Sequence, residues 1–348
     1  MIYRWEECMC GKSFRNKTLV LLMGITAVFA SSAAHGEIPV DRAIEKAITF
    51  LHDNQMAHGE FRTYATSDST LQRLLHFDSS PFVTSFVLYS LAFLDDPRAD
   101  EITKKGLDFL ISEEDGAGEW RYWTSLNDKY IDADLDDMAC ISFLLTRHGR
   151  RFGDNRETFY RNRDGNGIFK TWIRDPNSTN PNDVDCVVNA NVLLYLGENS
   201  RTGEACRFLK RVIREDTEIE NSVYYVDDTA VYYMTSRALN EGVACLESVR
   251  DTMIARLIER QEEDGSFGDE LATGFALCTF FNCDAYPDSI IEEGIDYLVD
   301  TQTFRGSWPA SAFYAAKDDG VFWGSQEFTT AICLEALVRY RTAFSREE

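Results

Sequence analysis

Basic charge is what this chain has least of. Its 348 residues carry 35 Lys and Arg against 58 Asp and Glu, a formal charge of −23, so no basic face is available for a phosphate backbone and nucleic acid is excluded as a partner. Proline is scarce at 7 residues, which argues against a proline- and glycine-punctuated all-β design and for long helices separated by aromatic loops. Histidine numbers five (His35, His52, His58, His76 and His148), and none lies in the second half of the chain, so no metal centre and no cofactor are expected. There is no glycine-rich phosphate loop, no GxSxG elbow and no HExxH. With 44% hydrophobic residues the chain is nonetheless rich enough to bury a large core. An uncharged, cationic or apolar ligand suits this balance best.

The N-terminus has the three parts of an export signal. Arg4 to Lys17 is net positive, Thr18 to Ala30 is an apolar run of 13 residues, and Ser31 to Gly36 offers small residues for cleavage at Ala34 or Gly36. The run is short for a bilayer span, which needs about 20 residues. We therefore expect a signal over residues 1–36, an exported (periplasmic or extracellular) mature chain, and one domain over 37–348; an uncleaved anchor or a misassigned start, which would leave the protein in the cytoplasm, is the alternative. Of nine cysteines, Cys8 and Cys10 belong to that segment, and the other seven are scattered and odd in number, which is no disulfide framework. Several sit in apolar runs such as "MACISFLL" and "FALCTFF", where a thiol packs as a small hydrophobe.

From Val40 onward one plan repeats six times: an amphipathic helix, a loop with Gly and an aromatic residue, an acidic or Ser/Thr-rich step, and a more apolar helix. The first helices begin near Asp41, Glu101, Arg156, Thr202, Ser248 and Ser289. The second span 82–94, 136–147, 185–197, 227–239, 271–281 and 328–340, and they are apolar nearly all round, so they must be buried. Six outer helices around six inner ones close most simply into a ring. The expected fold is all-α, an (α/α)6 toroid whose inner helices run parallel and line a central cavity.

The loops repeat as well. Leu51, Gln55, Gly59 and Phe61 recur at equal intervals as Leu257, Gln261, Gly265 and Phe267 and as Leu298, Gln302, Gly306 and Trp308; the second repeat has Glu114, Gly118 and Trp120. Here Gln is expected to close the end of its own outer helix, Gly to permit a left-handed turn, and the aromatic to plug the joint between pairs. This spacing resembles the QW repeat of squalene-hopene cyclases, and the repetitive region looks like the prenyltransferase and squalene cyclase toroid family.

Acidic residues gather where the inner helices start: Asp132, Asp134, Asp136 and Asp137, then Asp183 and Asp185, Asp227 and Asp228, Asp269 and Glu270, and Glu327. The run Asp134, Leu135, Asp136, Asp137 resembles the DxDD motif of class II terpene cyclases. That resemblance implies that Asp136 protonates an alkene or epoxide of a polyene while Asp134 and Asp137 tune it. The chemistry requires a desolvated carboxylic acid and aromatic walls that stabilise positive charge. Phe86, Tyr89, Phe93, Tyr232, Tyr233, Phe275, Phe322 and Trp323 are the wall candidates, and Asp183, Asp185, Asn189, Asp227, Asp228 and Glu327 the polar ones. Asn189 and Asn191 both interrupt an apolar helix, so one of them is expected to face the cavity or bond a neighbouring helix; Asn189 is favoured because it lies four residues after Asp185, on the same face, with a structural hydrogen bond as the other reading. Carboxylates at helix N-termini also cap free N–H groups, so the same acids have a purely structural reading.

The expected partner is a hydrophobic small molecule. Squalene-type cyclases combine two toroids and this chain supplies one, so a membrane surface and a separate toroid domain are further candidate partners. The alternative function is an exported binding or carbohydrate-active (α/α)6 protein whose acidic rim grips a cationic or sugar ligand. Two other patterns read as turns: Asn162, Asp164, Asn166 and Gly167 begin like a calcium loop but place Ile173 where Glu belongs, and Asp95, Asp96 and Asp100 fall on the far rim beside Pro97.

Overall fold

In a computed structural model, which describes residues 39–344 apart from 74, 176, 317 and 318, the six pairs are present. The outer helices are α1 (39–54), α3 (Pro97–Ser112), α5 (Arg156–Arg161), α7 (Gly203–Glu215), α10 (Arg250–Arg260) and α12 (Asp288–Thr301). The inner ones are α2 (Pro81–Leu91), α4 (Leu135–Arg147), α6 (Cys186–Leu196), α9 (Asp228–Asn240), α11 (Glu270–Asn282) and α13 (Gln326–Phe344), with the short α8 (Glu218–Asn221) and a 3-10 turn (Ala244–Val249) between them. The expected export segment lies outside the described residues. Among the described residues, no helix is long and apolar enough to cross a membrane.

Burial follows sequence pattern. In α7 only the stripe Ala205, Cys206, Phe208, Leu209, Val212 and Ile213 is buried, as an outer helix requires, whereas every residue of α2 is buried. The inner helices pack in the order α2, α4, α6, α9, α11, α13, and α13 returns to α2, so the ring closes. Helix α5 is the exception among the outer helices at 6 residues: Asp164 Oδ1 takes the N–H groups of Asn166 and Ile168, and this turn, with Gly167 at φ 85°, ends the helix early.

The Gln of the repeated loop does more than close its own helix. Gln55 Nε2 donates to Gly59 O at 3.0 Å and to Ile102 O of α3 at 2.9 Å; Gln261 bonds Gly265 O and Ile290 O of α12; Gln302 bonds Gly306 O and, at 2.8 Å, Ala43 O of α1. Each Gln therefore ties its loop to the outer helix of the next repeat, and the last one bonds back to the first. The glycines are required by close approach as well as by φ. A Cβ on Gly306, whose φ is 89°, would lie 2.4 Å from Lys46 O. The aromatics Phe61, Trp120, Phe267 and Trp308 are fully buried, and the indole N–H of Trp308 caps Leu298 O at 2.8 Å.

Two expectations are corrected. The chain is mostly helical but not all-α: β1 (Tyr64–Thr66), β2 (His76–Phe77), β3 (Ser311–Ala316) and β4 (Val321–Ser325) form an antiparallel sheet ordered β2-β1-β4-β3. The loops of the first and last repeats are long, and "TYAT", "SAFYAA" and "VFWGS" place β-branched and aromatic residues where unpaired backbone must find partners. Pairing of Tyr64 with Gly324 and Ala65 with Trp323 adds a second seam to the ring closure. Nor are all the cysteines packing residues. Cys206 of α7 and Cys245 of the 3-10 turn form a disulfide, while Cys140, Cys186, Cys278, Cys283 and Cys333 are free and buried.

Candidate active site

Helix α4 begins at Asp134, whose extended backbone lets Oδ1 accept the N–H groups of Asp136 and Asp137, both at 2.9 Å. That cap turns the next two carboxyls inward, and the three residues are only 4%, 5% and 1% exposed in chain order. Asp136 is the most solvated by protein: Oδ1 accepts Asn191 Nδ2 at 2.7 Å, and Oδ2 accepts the hydroxyls of Tyr225 at 2.7 Å and Tyr314 at 2.5 Å. Asp137 lacks such support, since its Oδ1 is buried without a partner.

The protonation of the three differs accordingly. Burial raises Asp136, against the opposing pull of Tyr314, Asn191 and Tyr225. Burial also pushes Asp134 up to about 7, and Asp137 stands well above the usual carboxylate range because of burial and then the adjacent Asp134 charge. Two backbone N–H groups favour the Asp134 anion and nothing favours that of Asp137, so the pair holds its proton on Asp137.

These carboxyls share the wall of a cavity of about 250 Å³ with Tyr122, Trp123, Trp172, Tyr224, Tyr314 and Trp323. Tyr314 comes from β3 and Trp323 from β4, so the unforeseen hairpin supplies two sides of the site. The cavity is confined to the rim. Instead of an open hollow, the centre of the ring is filled: the Arg237 guanidinium lies 4.0 Å from the ring centre of Tyr89, 4.6 Å from Phe86 and 5.5 Å from Tyr233, and Phe313 packs between Phe82 and Phe328.

The structure separates the other residues predicted for the site. Trp323 lines the cavity. Asp183 supports it indirectly, accepting from Tyr224 Oη at 2.7 Å and Thr171 Oγ1 at 2.5 Å. Asp185 caps α6 and is wholly occupied by backbone, with Oδ1 taking Val187 and Val188 N–H and Oδ2 taking Val223 and Tyr224 N–H. Asn189 bonds both polar groups of the Phe169 backbone and Asp185 O, so the amide that reaches the acid is Asn191, a half-turn further on. Asp227 and Asp228 pair with Arg260, and Asp227 borders a second cavity of about 260 Å³ with Phe275. Tyr89 packs on Arg237, Tyr232 Oη meets Arg256, and Glu327 faces Ser325 and Arg62. Sequence reading missed Tyr225, Tyr314, Trp123 and Trp172; the aromatic-rich "EWRYW" and "SAFYAA" were the signals for Trp123 and Tyr314, and Trp172 and Tyr225 had none. Among the described residues, no cluster of three or more His, Cys, Asp or Glu side chains is arranged to hold a metal ion.

No family model matches the chain, and no curated protein does. Solved structures do share its fold. Type II terpene cyclase MstE from Scytonema is 18% identical over 87% of this chain and 99% of its own, with a TM-score of 0.67. A variant of it bound to its substrate, geranylgeranyl dihydroxybenzoate, is 18% identical over 86% of this chain and 97% of its own, also at 0.67. An unsaturated glucuronyl hydrolase specific for heparin is more distant, 11% identical over 89% of this chain and 99% of its own, at 0.59.

Proposed function

We propose that this protein is a class II terpene cyclase-like enzyme in which Asp136 starts the cyclisation of a polyene or isoprenoid. The observation that carries this reading is a dry carboxyl, three hydrogen-bond donors aimed at it, and an aromatic cavity in front of it. Burial raises the Asp136 carboxyl toward its protonated form, and Asn191, Tyr225 and Tyr314 stabilise the carboxylate left when the proton has gone to an alkene. Asp137 is a poorer acid, because its buried Oδ1 has no donor. In the reaction the Asp136 proton adds to an alkene carbon, the resulting cation is attacked by the next double bond, the last cation loses a proton to water, and Asp136 regains one from water, so that the net change is an isomerisation. Indole and phenol faces lower the energy of the intermediate cations without capturing them. A volume of about 250 Å³ lies below the roughly 300–1,000 Å³ of sites that engulf a drug-sized ligand. The cavity is therefore sized for the reacting end of the substrate.

The second reading, a carbohydrate-active protein, draws on the more distant hydrolase likeness. It requires two available carboxylates, and Asp185, the acid that starts the neighbouring inner helix α6, has both oxygens committed to backbone N–H groups. We also infer that residues 1–36 direct export and 37–348 form the catalytic domain; a disulfide such as Cys206–Cys245 suits an oxidising compartment.

The test is to incubate the purified protein with linear C10 to C20 polyprenyl compounds, their epoxides and their aryl derivatives, and to look for ring products by mass spectrometry. Asp136→Asn is expected to lose at least about 100-fold in turnover with its melting temperature retained, the usual weight of a positioned general acid. Full turnover by that variant would overturn the assignment.

A further inference from the structure

Two of the indoles on the cavity wall send their N–H groups to one buried carboxylate that does not itself line the cavity. Asp78, between β2 and α2, is 2% exposed. Its Oδ2 accepts Nε1 of Trp123 at 3.0 Å and Nε1 of Trp323 at 2.8 Å, and its Oδ1 accepts Asn127 Nδ2 at 2.9 Å and Lys129 Nζ at 3.0 Å. The backbone around it is pinned as well, with Asp78 N–H donating to Thr63 O at 2.9 Å and Thr124 N–H to Ser79 O at 3.3 Å. One side chain thus joins the loops of the first, second and sixth repeats behind the cavity. Burial, the largest influence on this carboxyl, raises it, but the donors Asn127, Trp323, Trp123 and Lys129 together hold it below its ordinary value, so it stays an anion.

An indole has a single polar atom, and a Trp on a dry wall needs that N–H satisfied. An anion that satisfies two indoles at once fixes the orientation of both rings, and hydrogen bonding to it polarises them toward greater electron density on their faces. Rings so held attract positive charge that carries no donors of its own. Asn127 and Lys129 occupy the second oxygen of Asp78, so the carboxylate acts on the cavity through the indoles; the Lys129 ammonium also lies 4.9 Å from the Trp123 ring centre, which leaves Trp323 as the indole of the pair without a cation over its ring among the described residues.

We propose that Asp78 is a positioning residue that holds Trp123 and Trp323 as a cation-selective wall, so that the cavity takes carbocations or quaternary ammonium groups in preference to neutral groups of the same shape. The carbocation half of this proposal rests on the cyclase reading; the ammonium half does not.

The experiment is a pair of titrations of the full-length protein, followed by indole fluorescence, with choline and with its carbon isostere 3,3-dimethylbutan-1-ol. The wild type is expected to bind choline more tightly than the alcohol. Asp78→Asn should weaken choline binding by about fivefold or more while leaving the alcohol within about twofold, the scale of a lost cation–π contribution. Trp323→Phe keeps a ring but removes the N–H that Asp78 holds; it should lose a similar factor, and the double variant should lose less than the product of the two. Should Asp78→Asn fail to fold, Trp323→Phe and Trp123→Phe make the same comparison. A wild type without preference for choline, or variants that weaken both ligands alike, would overturn the proposal. A protein that selects choline through Asp78 but cyclises nothing refutes the enzymatic reading alone, and one that cyclises polyenes yet ignores Asp78 refutes this one alone.

Discussion

Asn189 and Asn191 are two residues apart on one buried helix and have opposite work to do. Asn189 satisfies the Phe169 N–H and C=O, and its replacement by Ala strands both in the core. At about 1–3 kcal/mol for a buried group left unpaired, Asn189→Ala should lower stability by roughly 2–4 kcal/mol, measured by urea unfolding. Asn191 bonds Asp136 and leaves its own Oδ1 without a partner, so Asn191→Leu removes an orphan atom together with a donor. It should cost less stability and lower turnover by about tenfold, the value of one hydrogen bond to a charged group. Equal stability losses in the two variants would contradict this division. Both amides were visible in the sequence as interruptions of an apolar run. Which one meets the acid depends on how α6 is rotated against α4, and an apolar run with no polar face does not specify that rotation.

At the scale of the elements, the repeated Gln and Gly were legible because the same physical demand recurs at each junction. The demand is closer than one helix end: Gln302 and Gly306 join the last loop to the first helix. Gly306→Ala places a Cβ against the Lys46 carbonyl at a left-handed φ of 89° and should destabilise by at least about 2 kcal/mol in thermal or chemical unfolding. Gly116, with open space around its Cβ position and φ 65°, is the control, expected to lose about 1 kcal/mol. The hairpin of β3 and β4 was not legible in the same way. Its strands are short, its partner β1 lies far off in sequence, and the pairing that orders it exists only once the ring has closed. With it went Tyr314, the shortest contact to Asp136.

For the whole molecule, the excess of acid has a consequence for pH. Asp134 and Asp185 are each pushed from an ordinary 3.8 up to about 7, chiefly by burial, and Asp136 and Asp137 are also raised. Between those values the folded chain holds protons that the unfolded chain has released. The stability these groups contribute is therefore fully present below the unfolded value and is lost as pH rises through about 7. Self-repulsion of a chain with formal charge −23 acts in the same direction. The melting temperature should fall from pH 5.5 to pH 8, and Asp134→Asn should flatten that fall; a midpoint that does not fall over the interval would show these carboxyls to be ionised throughout.

Helix pairing, the ring and the rim on which acids gather were determined by the sequence itself, because amphipathic period, recurring Gly and helix-capping Asp act over a few residues and repeat. The site was decided by tertiary structure. One cap among several similar ones meets Asn191 from α6, Tyr225 from the loop before α9 and Tyr314 from the hairpin, and such a meeting depends on helix rotation, loop pairing and shared desolvation, none of which a local pattern contains.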